Sequence, residues 1–155
     1  MAMNFDVAEY YLSKWQEKLR LRDWDIKLHL VKKEWRKTGD IKIDIDDRNA
    51  VLLINTVNPK QTNLEEVIIH ELLHLKLFGM DQMIEGLLSS VYGNDSEDTK
   101  QKLAYGQFMT LLESTVNDLA KSFLLEGGED KDVSFGRLAK EIEDEIGIQQ
   151  TTEPA

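Results

Sequence analysis

The chain has 155 residues, 41% of them hydrophobic, and its 19 basic and 29 acidic residues give a formal net charge of −10. This length suits a single hydrophobic core, and the negative charge disfavours binding to nucleic acid or to anionic membrane surfaces, so a peptide or protein partner is expected. Because the chain has no cysteine, disulfides and thiolate metal ligands are excluded.

The first third of the chain predicts one helix followed by three strands. Asn4 can cap an amphipathic helix that runs to about Leu19. The stretch DWDIKLHLV then alternates apolar and polar residues, which places His29 on a solvated strand face. GDIKIDID alternates again, and AVLLIN follows the turn-rich DDRN as a denser apolar strand. These patterns favour a small antiparallel sheet of three strands.

The rest of the chain predicts helices. Thr62 or Asn63 can cap a helix that ends at Gly79, with Glu65 or Glu66 completing a capping box. A short helix near 81–92 and a long one over about 99–125 follow. Gly127 and Gly128 then precede an amphipathic helix whose apolar side carries Phe135, Leu138, Ile142 and Ile146.

These elements predict an α+β domain over residues 1–126, in which the sheet packs on a central helix. Residues 127–148 form a C-terminal helix that packs on the domain or regulates it, and residues 149–155 form a disordered tail. The N-terminal stretch MAMNFDVAEYY does not resemble a signal peptide, and no apolar run of about 18 residues is present. We therefore expect a soluble cytoplasmic protein.

The apolar stretch VIIHELLHLKLFGMD contains two of the three histidines. His70 and His74 are four residues apart, so a helix places both imidazoles on one face, one turn apart, where they can bind one metal ion. Glu71 lies beside this pair and can reach a water molecule held there. Core histidines without a metal also occur, but a buried imidazolium or carboxylate is costly without compensation. The HExxH pattern therefore predicts a metal site, with Zn²⁺ as the expected ion.

A catalytic zinc site needs a third protein ligand. Asp81 is nearest in sequence, but the predicted helix end at Gly79 makes it the weaker candidate. Glu113 interrupts an apolar stripe formed by Met109, Val116 and Ala120, which indicates a carboxylate facing inward towards a cation. Asn117, one turn further on, is placed to orient a ligand by hydrogen bonding.

HELLH followed by a helical glutamate resembles the gluzincin group of zinc metallopeptidases. ESTVNDLA, residues 113–120, is similar to the E-x-x-A-N-x-F-A pattern of ImmA/IrrE-type peptidases, which are small intracellular proteases associated with mobile elements. The resemblance covers residues 50–125 and implies a zincin-like fold. It also implies that His70, His74 and Glu113 bind zinc and that Glu71 is the general base and acid.

The implied activity is hydrolysis of peptide bonds by a metal-activated water molecule. An extended substrate is expected to pair with the edge of the sheet near AVLLIN. Tyr105, Tyr92 and Arg48 are unranked candidates for stabilising the oxyanion. One alternative is a catalytically latent zinc-binding interaction module, of phage or mobile-element origin, in which the last helix occupies the cleft or recruits a partner. Another is a protease acting near DNA, which the negative charge disfavours.

Overall fold

A computed structural model describes residues 4–95 and 97–147. These residues form four helices and three strands, which confirms the α+β class. In chain order the elements are α1 (Phe5–Lys18), β1 (Asp25–Val31), β2 (Gly39–Asp44), β3 (Asn49–Asn55), α2 (Leu64–Tyr92), α3 (Thr99–Gly127) and α4 (Gly136–Ile146). Residue 148 and the tail predicted to be disordered, 149–155, lie outside the described residues.

The sheet is mixed, so the prediction of a purely antiparallel sheet is wrong. Its strand order is β1-β3-β2, with β1 parallel and β2 antiparallel to β3. Leu52 in β3 is paired with Leu28 on one side and with Ile41 on the other. The chain passes from β1 to β2 through residues 32–38. These two strands are not neighbours in the sheet, because β3 lies between them. Alternating polarity is the same for both strand directions, so it could not reveal this arrangement.

AVLLIN forms the central strand β3, so the expectation that it offers a free edge is also wrong. Leu52 and Ile54 are fully buried, and β3 has a hydrogen-bonded neighbour on each side. Among the described strands, β2 is paired only with β3. β2 is therefore an outer strand of the sheet, and it is the strand that approaches α2 most closely.

Helix α2 is continuous for 29 residues, so the predicted end at Gly79 and the separate short helix predicted near 81–92 are both wrong. A glycine inside a helix costs about 1 kcal/mol relative to alanine, and the good helix formers around Gly79 outweigh that cost. The helix instead ends at Gly93, whose φ of 82° lies in the left-handed region. Although α2 is long and apolar, no helix within the described ranges is long and apolar enough to cross a membrane.

The N-terminus of α2 is capped by Asn63, whose Oδ1 accepts a hydrogen bond from the Glu66 backbone N–H at 3.1 Å. The reciprocal bond of a capping box is not made by Glu66. The Asn63 backbone N–H donates instead to Oε1 of Gln61, also at 3.1 Å. Of the two cap residues that the sequence predicted, Thr62 and Asn63, the structure has Asn63. The predicted capping box is wrong.

Helix α2 lies at the centre of the molecule, with the sheet and α1 packed on it and α3 running alongside it. The first half of α2 supplies most of its buried residues, because there it is enclosed by all of these elements. The largest fully buried apolar side chains are Trp15, Leu52, Ile54, Ile68, Ile69, Leu72, Val116 and Leu124.

Glu65, in the first turn of α2, is a fully buried carboxylate whose charge is well compensated. Its Oε1 accepts hydrogen bonds from Lys14 Nζ at 2.6 Å and from Trp15 Nε1 at 2.7 Å. Its Oε2 accepts from the backbone N–H groups of Glu129 at 2.8 Å and Asp130 at 3.4 Å. One side chain therefore joins α1, α2 and the linker between α3 and α4.

These contacts keep Glu65 ionised. Burial by itself raises the pKa of the carboxyl, but the hydrogen bonds from Lys14, Trp15 and the two linker amides outweigh it and hold the pKa below its ordinary value of 4.5. A pKa lowered by folding contributes stability above the unfolded-state value, and that contribution is lost as the pH falls through the folded-state value.

We expect Glu65→Gln to lower the free energy of unfolding by on the order of 3 kcal/mol, because it removes one partner of a buried, hydrogen-bonded charge pair. Urea unfolding at pH 7 measures this difference, which should shrink as the pH falls below about 4.5. Glu17→Gln is the matched control, because the Glu17–Arg22 pair is exposed and its loss should cost less than about 1 kcal/mol. Equal effects of the two variants would contradict the role assigned to Glu65.

Candidate metal centre and active site

His70 and His74 lie one turn apart on α2 and face α3 across a cleft. Their ring centroids are 4.9 Å apart, and the rings are inclined at 61°. One ligand atom from each of His70, Glu71 and His74 lies within 4.8 Å of the other two. The structure therefore contains a His–Glu–His group whose atoms are close enough to hold a metal ion.

Glu113 approaches the two histidines from α3. Its Oε1 lies 2.9 Å from His74 Nε2, and its Oε2 lies 3.6 Å from His70 Nε2. The hydrogen bond to His74 is the main cause that holds the pKa of Glu113 below its ordinary value, although partial burial opposes the shift. The structure thus brings Glu113 to the histidines from a position 39 residues further along the chain.

The two imidazoles differ electrostatically. Burial, assisted by the nearby His74, lowers the pKa of His70 to about 4, so His70 is neutral at physiological pH. Burial also tends to lower the pKa of His74, but the hydrogen bond with Glu113 and the charge of Glu71 outweigh it and raise this pKa. His74 and Glu113 are therefore joined by a hydrogen bond whose proton a metal cation can replace.

Glu71 is 7% exposed and lies at the floor of the cleft. Burial raises its pKa to about 7. The positive charge of His74 opposes this shift, and the negative charges of Asp40 and Glu113 add to it. A carboxyl with this pKa can accept and return a proton near neutral pH.

Gly39, the first residue of β2, explains how Glu71 comes to lie against the sheet. A Cβ atom at this position would lie 2.9 Å from Val67 Cγ1 and 3.2 Å from Glu71 Oε2. Only glycine permits this approach without displacing one of them. The sequence analysis did not identify Gly39, because a glycine at the start of a strand does not indicate which helix will pack there.

Asn117 lines the same cleft one turn beyond Glu113. Interaction with its side chain favours the protonated form of His70, although burial dominates the pKa of that histidine. The structure therefore places the Asn117 amide beside His70, where it can orient the imidazole.

Asp81 also lines the cleft. Because α2 continues through Gly79, Asp81 stands two turns beyond His74 on the same helix, and the reason for discounting it does not hold. Its Oδ1 is buried and has no hydrogen-bond partner in the described part of the chain. Partial burial raises its pKa, while His74 lowers it. Glu113 nevertheless fits the third ligand position better, since its oxygens lie within 4 Å of both histidines.

None of the three residues suggested for the oxyanion lines this cleft. Tyr105 lies 3.5 Å from Glu85, Arg48 is paired with Asp23 beside a separate pocket, and Tyr92 is at the exposed end of α2. Arg137, from α4, does reach the cleft, and its charge lowers the pKa values of His70 and Glu113. Its only sequence signal was a place on the polar side of the last amphipathic helix.

The cleft has a volume of about 1080 Å³ and is bordered by β2, α2, α3 and α4. The polar stripe of α4 lines it, and this stripe consists of Arg137, Lys140, Glu141 and Asp144. The apolar side of α4 is largely exposed, with Phe135 at 71% and Ile146 at 59%. Over its described range α4 has no buried residue, and no other described helix or strand packs closely on it.

The linker before α4 holds this helix over the cleft. The Asn63 side-chain amide donates to the backbone carbonyls of Asp130 at 2.8 Å and Asp132 at 2.9 Å. Ser134 Oγ accepts a hydrogen bond from the Thr62 backbone N–H at 3.2 Å. With the bonds to Glu65, these contacts attach the linker to the N-terminus of α2.

The donor set fits a zinc ion. Two imidazole nitrogens and one carboxylate oxygen are typical ligands of catalytic zinc, and tetrahedral bonds of about 2.1 Å place ligand atoms about 3.4 Å apart. Glu113 places one oxygen 2.9 Å from His74 Nε2 and the other 3.6 Å from His70 Nε2, so its carboxylate lies at ligand distance from both imidazoles. Glu71 then remains free to act on a bound molecule.

Comparison with protein-family models gives no match, and comparisons with curated proteins and with solved structures give no significant match. The interpretation of the site therefore depends on the residues and their geometry.

We expect the chain to bind one zinc ion, and both His74→Ala and Glu113→Ala to weaken binding at least about 100-fold, beyond the effect typical of outer-sphere partners. Elemental analysis of protein purified without a histidine tag, followed by competition with a chelator, measures this. Asp81→Asn is the control and should retain the ion. Zinc retained by Glu113→Ala and lost from Asp81→Asn would assign the third ligand to Asp81.

Proposed function

We propose that the chain is a zinc-dependent metallopeptidase with a zincin-like arrangement of its site. The observation that carries this proposal is the geometry of the site: Glu71 is buried in the cleft with a ligand atom within 4.8 Å of those of His70 and His74, and Glu113 lies within 4 Å of both histidines. A purely structural zinc site usually has four protein ligands and needs no proton acceptor. The resemblance of HELLH and its downstream glutamate to gluzincins supports the same activity.

His70, His74 and Glu113 would hold the ion. Bound zinc supplies a Lewis acid that polarises a peptide carbonyl and makes water more acidic. The carboxylate of Glu71 accepts a proton from the attacking water molecule as the new C–O bond forms. Glu71 then donates this proton to the leaving nitrogen as the C–N bond breaks, which returns the carboxylate to its starting state.

The outer edge of β2 is the best placed backbone for holding an extended peptide. Gly39, Ile41 and Ile43 of this strand line the cleft, and Gly39 lies against Glu71. A peptide paired with β2 would run along the cleft, with one of its carbonyl groups near Glu71 and the two histidines. This assignment replaces the edge that the sequence suggested near AVLLIN.

We expect Glu71→Gln to lower kcat about 10²- to 10⁴-fold, the contribution typical of a general base, while zinc content and thermal stability are retained. A mixture of peptides incubated with each zinc-loaded protein and analysed by mass spectrometry identifies a substrate, and initial rates then give kcat. Turnover by Glu71→Gln at the wild-type rate would exclude Glu71 as the base.

A second candidate function is a latent zinc-binding module, and the position of α4 favours it. The polar stripe of α4 lines the same cleft that a substrate would enter, and the linker fixes the helix there through Asn63, Glu65 and Thr62. In this interpretation the chain binds zinc without hydrolysing peptides, and α4 occupies the cleft or recruits a partner.

Removal of residues 135–155 separates these functions. The truncated chain keeps the linker contacts of residues 129–134, so Glu65 and Asn63 retain their partners. For a peptidase covered by α4, we expect kcat/KM to rise at least about tenfold, because the cleft is exposed without loss of a ligand or of Glu71. Zinc binding without turnover in both the full and the truncated chain would instead favour the latent module.

A further inference from the structure

Glu66 is a buried carboxylate at the cleft that the proposed mechanism does not use. It is 4% exposed and lines the cleft, and its Oε2 has no hydrogen-bond partner among the described residues. The adjacent Glu65 is equally buried but accepts four hydrogen bonds. The Glu65 carboxylate is thus well supplied with hydrogen-bond donors and the neighbouring Glu66 carboxylate is not. Of the two, only Glu66 lines the cleft.

Helix capping does not account for Glu66. A glutamate at the third position of a helix often bonds back to the backbone N–H of the cap residue. Here that N–H group, on Asn63, donates to Gln61 Oε1. The carboxylate of Glu66 therefore does not close a capping box at the start of α2.

The surrounding charges leave Glu66 only partly compensated. Burial raises the pKa of its carboxyl, while Lys121 and the Gln61 side chain lower it to a smaller extent. Lys121 is exposed on α3 and makes no ion pair with Glu66 within 4.0 Å in the described part of the chain. The unpartnered Oε2 of this buried carboxylate favours a ligand that carries a full positive charge.

The position of Glu66 relates it to the metal centre. Glu66 and His70 are four residues apart on α2, so they share one face of the helix at a separation of about 6 Å along its axis. An extended peptide advances about 3.3 Å per residue. A cation bound by Glu66 would therefore lie about two residues from the carbonyl group held at the histidines.

We propose that Glu66 forms the floor of a subsite that binds a cationic group of the peptide, either its N-terminal ammonium or the side chain of a lysine or arginine. The proposal rests on the proposed function, because the ligand is the peptide that the metal centre would cleave. It assigns the cleft a preference for positive charge close to the bond to be cleaved.

Peptide binding tests this subsite independently of turnover. Zinc-loaded Glu71→Gln protein is titrated by calorimetry with five-residue alanine peptides. One pair of peptides compares a free with an acetylated N-terminus. A second set compares an internal lysine with norleucine and with glutamate. We expect one cationic peptide to bind about tenfold or more tightly than its neutral counterpart, and the glutamate peptide to bind most weakly. Preference for the free N-terminus identifies the ammonium as the ligand, and preference for lysine over norleucine identifies a side chain.

The same titrations are then repeated after a second substitution. Glu66→Gln should abolish the preference for charge, whereas Glu141→Gln, a matched change on the α4 side of the cleft, should preserve it. Thermal unfolding should show little change in the stability of Glu66→Gln, since Oε2 has no hydrogen bond to lose and the amide oxygen can still accept one from Gln61.

Equal binding of the cationic, neutral and anionic peptides, or no binding of any of them, would overturn the subsite. Loss of stability in Glu66→Gln with an unchanged charge preference would also overturn it, by making Glu66 a structural residue. If the charge preference depends on Glu66 but the wild-type chain cleaves no peptide, the subsite is supported and the proposed peptidase activity is refuted.

Discussion

The structure depends on how the charged side chains that α2 buries are stabilised by hydrogen bonds and opposite charges. A 29-residue helix enclosed by a sheet, by α1 and by α3 buries Glu65 fully, and an isolated buried carboxylate would cost several kcal/mol. Lys14 and Trp15 from α1, together with two linker amides, remove that cost. The same contacts fix α1 and the linker against the start of α2. The hydrogen bonds that stabilise the buried charge of Glu65 therefore also hold these elements together.

Further along α2, compensation is incomplete, and there the helix borders the cleft. Glu71 is buried with its pKa raised to about 7, and His70 is held neutral by a pKa of about 4. Such perturbed groups are unfavourable in a structural core, but they are suited to binding a cation and moving a proton. Buried ionisable side chains that lack stabilising partners, such as Glu71 and His70, therefore lie together at the cleft. This is the main physical argument for function at this end of the molecule.

Local patterns predicted local features well. The spacing of His70 and His74 was enough to place both on one helix face, and the position of Glu113 in an apolar stripe was enough to point it inward. The course of the chain between elements was not predictable in this way. Alternation along β1 and β3 is the same for parallel and antiparallel strands, and Gly79 was interpreted as a helix end because its cost within a longer helix is only about 1 kcal/mol. The proximity of Gly39 to Glu71 depends on the packing of β2 on α2, which no local pattern encodes.

Helix α4 connects these two regions of α2. Its linker is held by Glu65 and Asn63 at the compensated end, whereas its polar stripe lies over the uncompensated groups of the cleft. Arg137 brings positive charge towards His70 and Glu113, and its effect on both is to favour the deprotonated form that a metal ligand needs. The apolar side of α4 is largely exposed even though Phe135 and Leu138 also border the cleft, so burial of apolar surface contributes little to holding the helix. Its position depends on the linker, and a change in the contacts of Glu65 would therefore be transmitted to the entrance of the cleft.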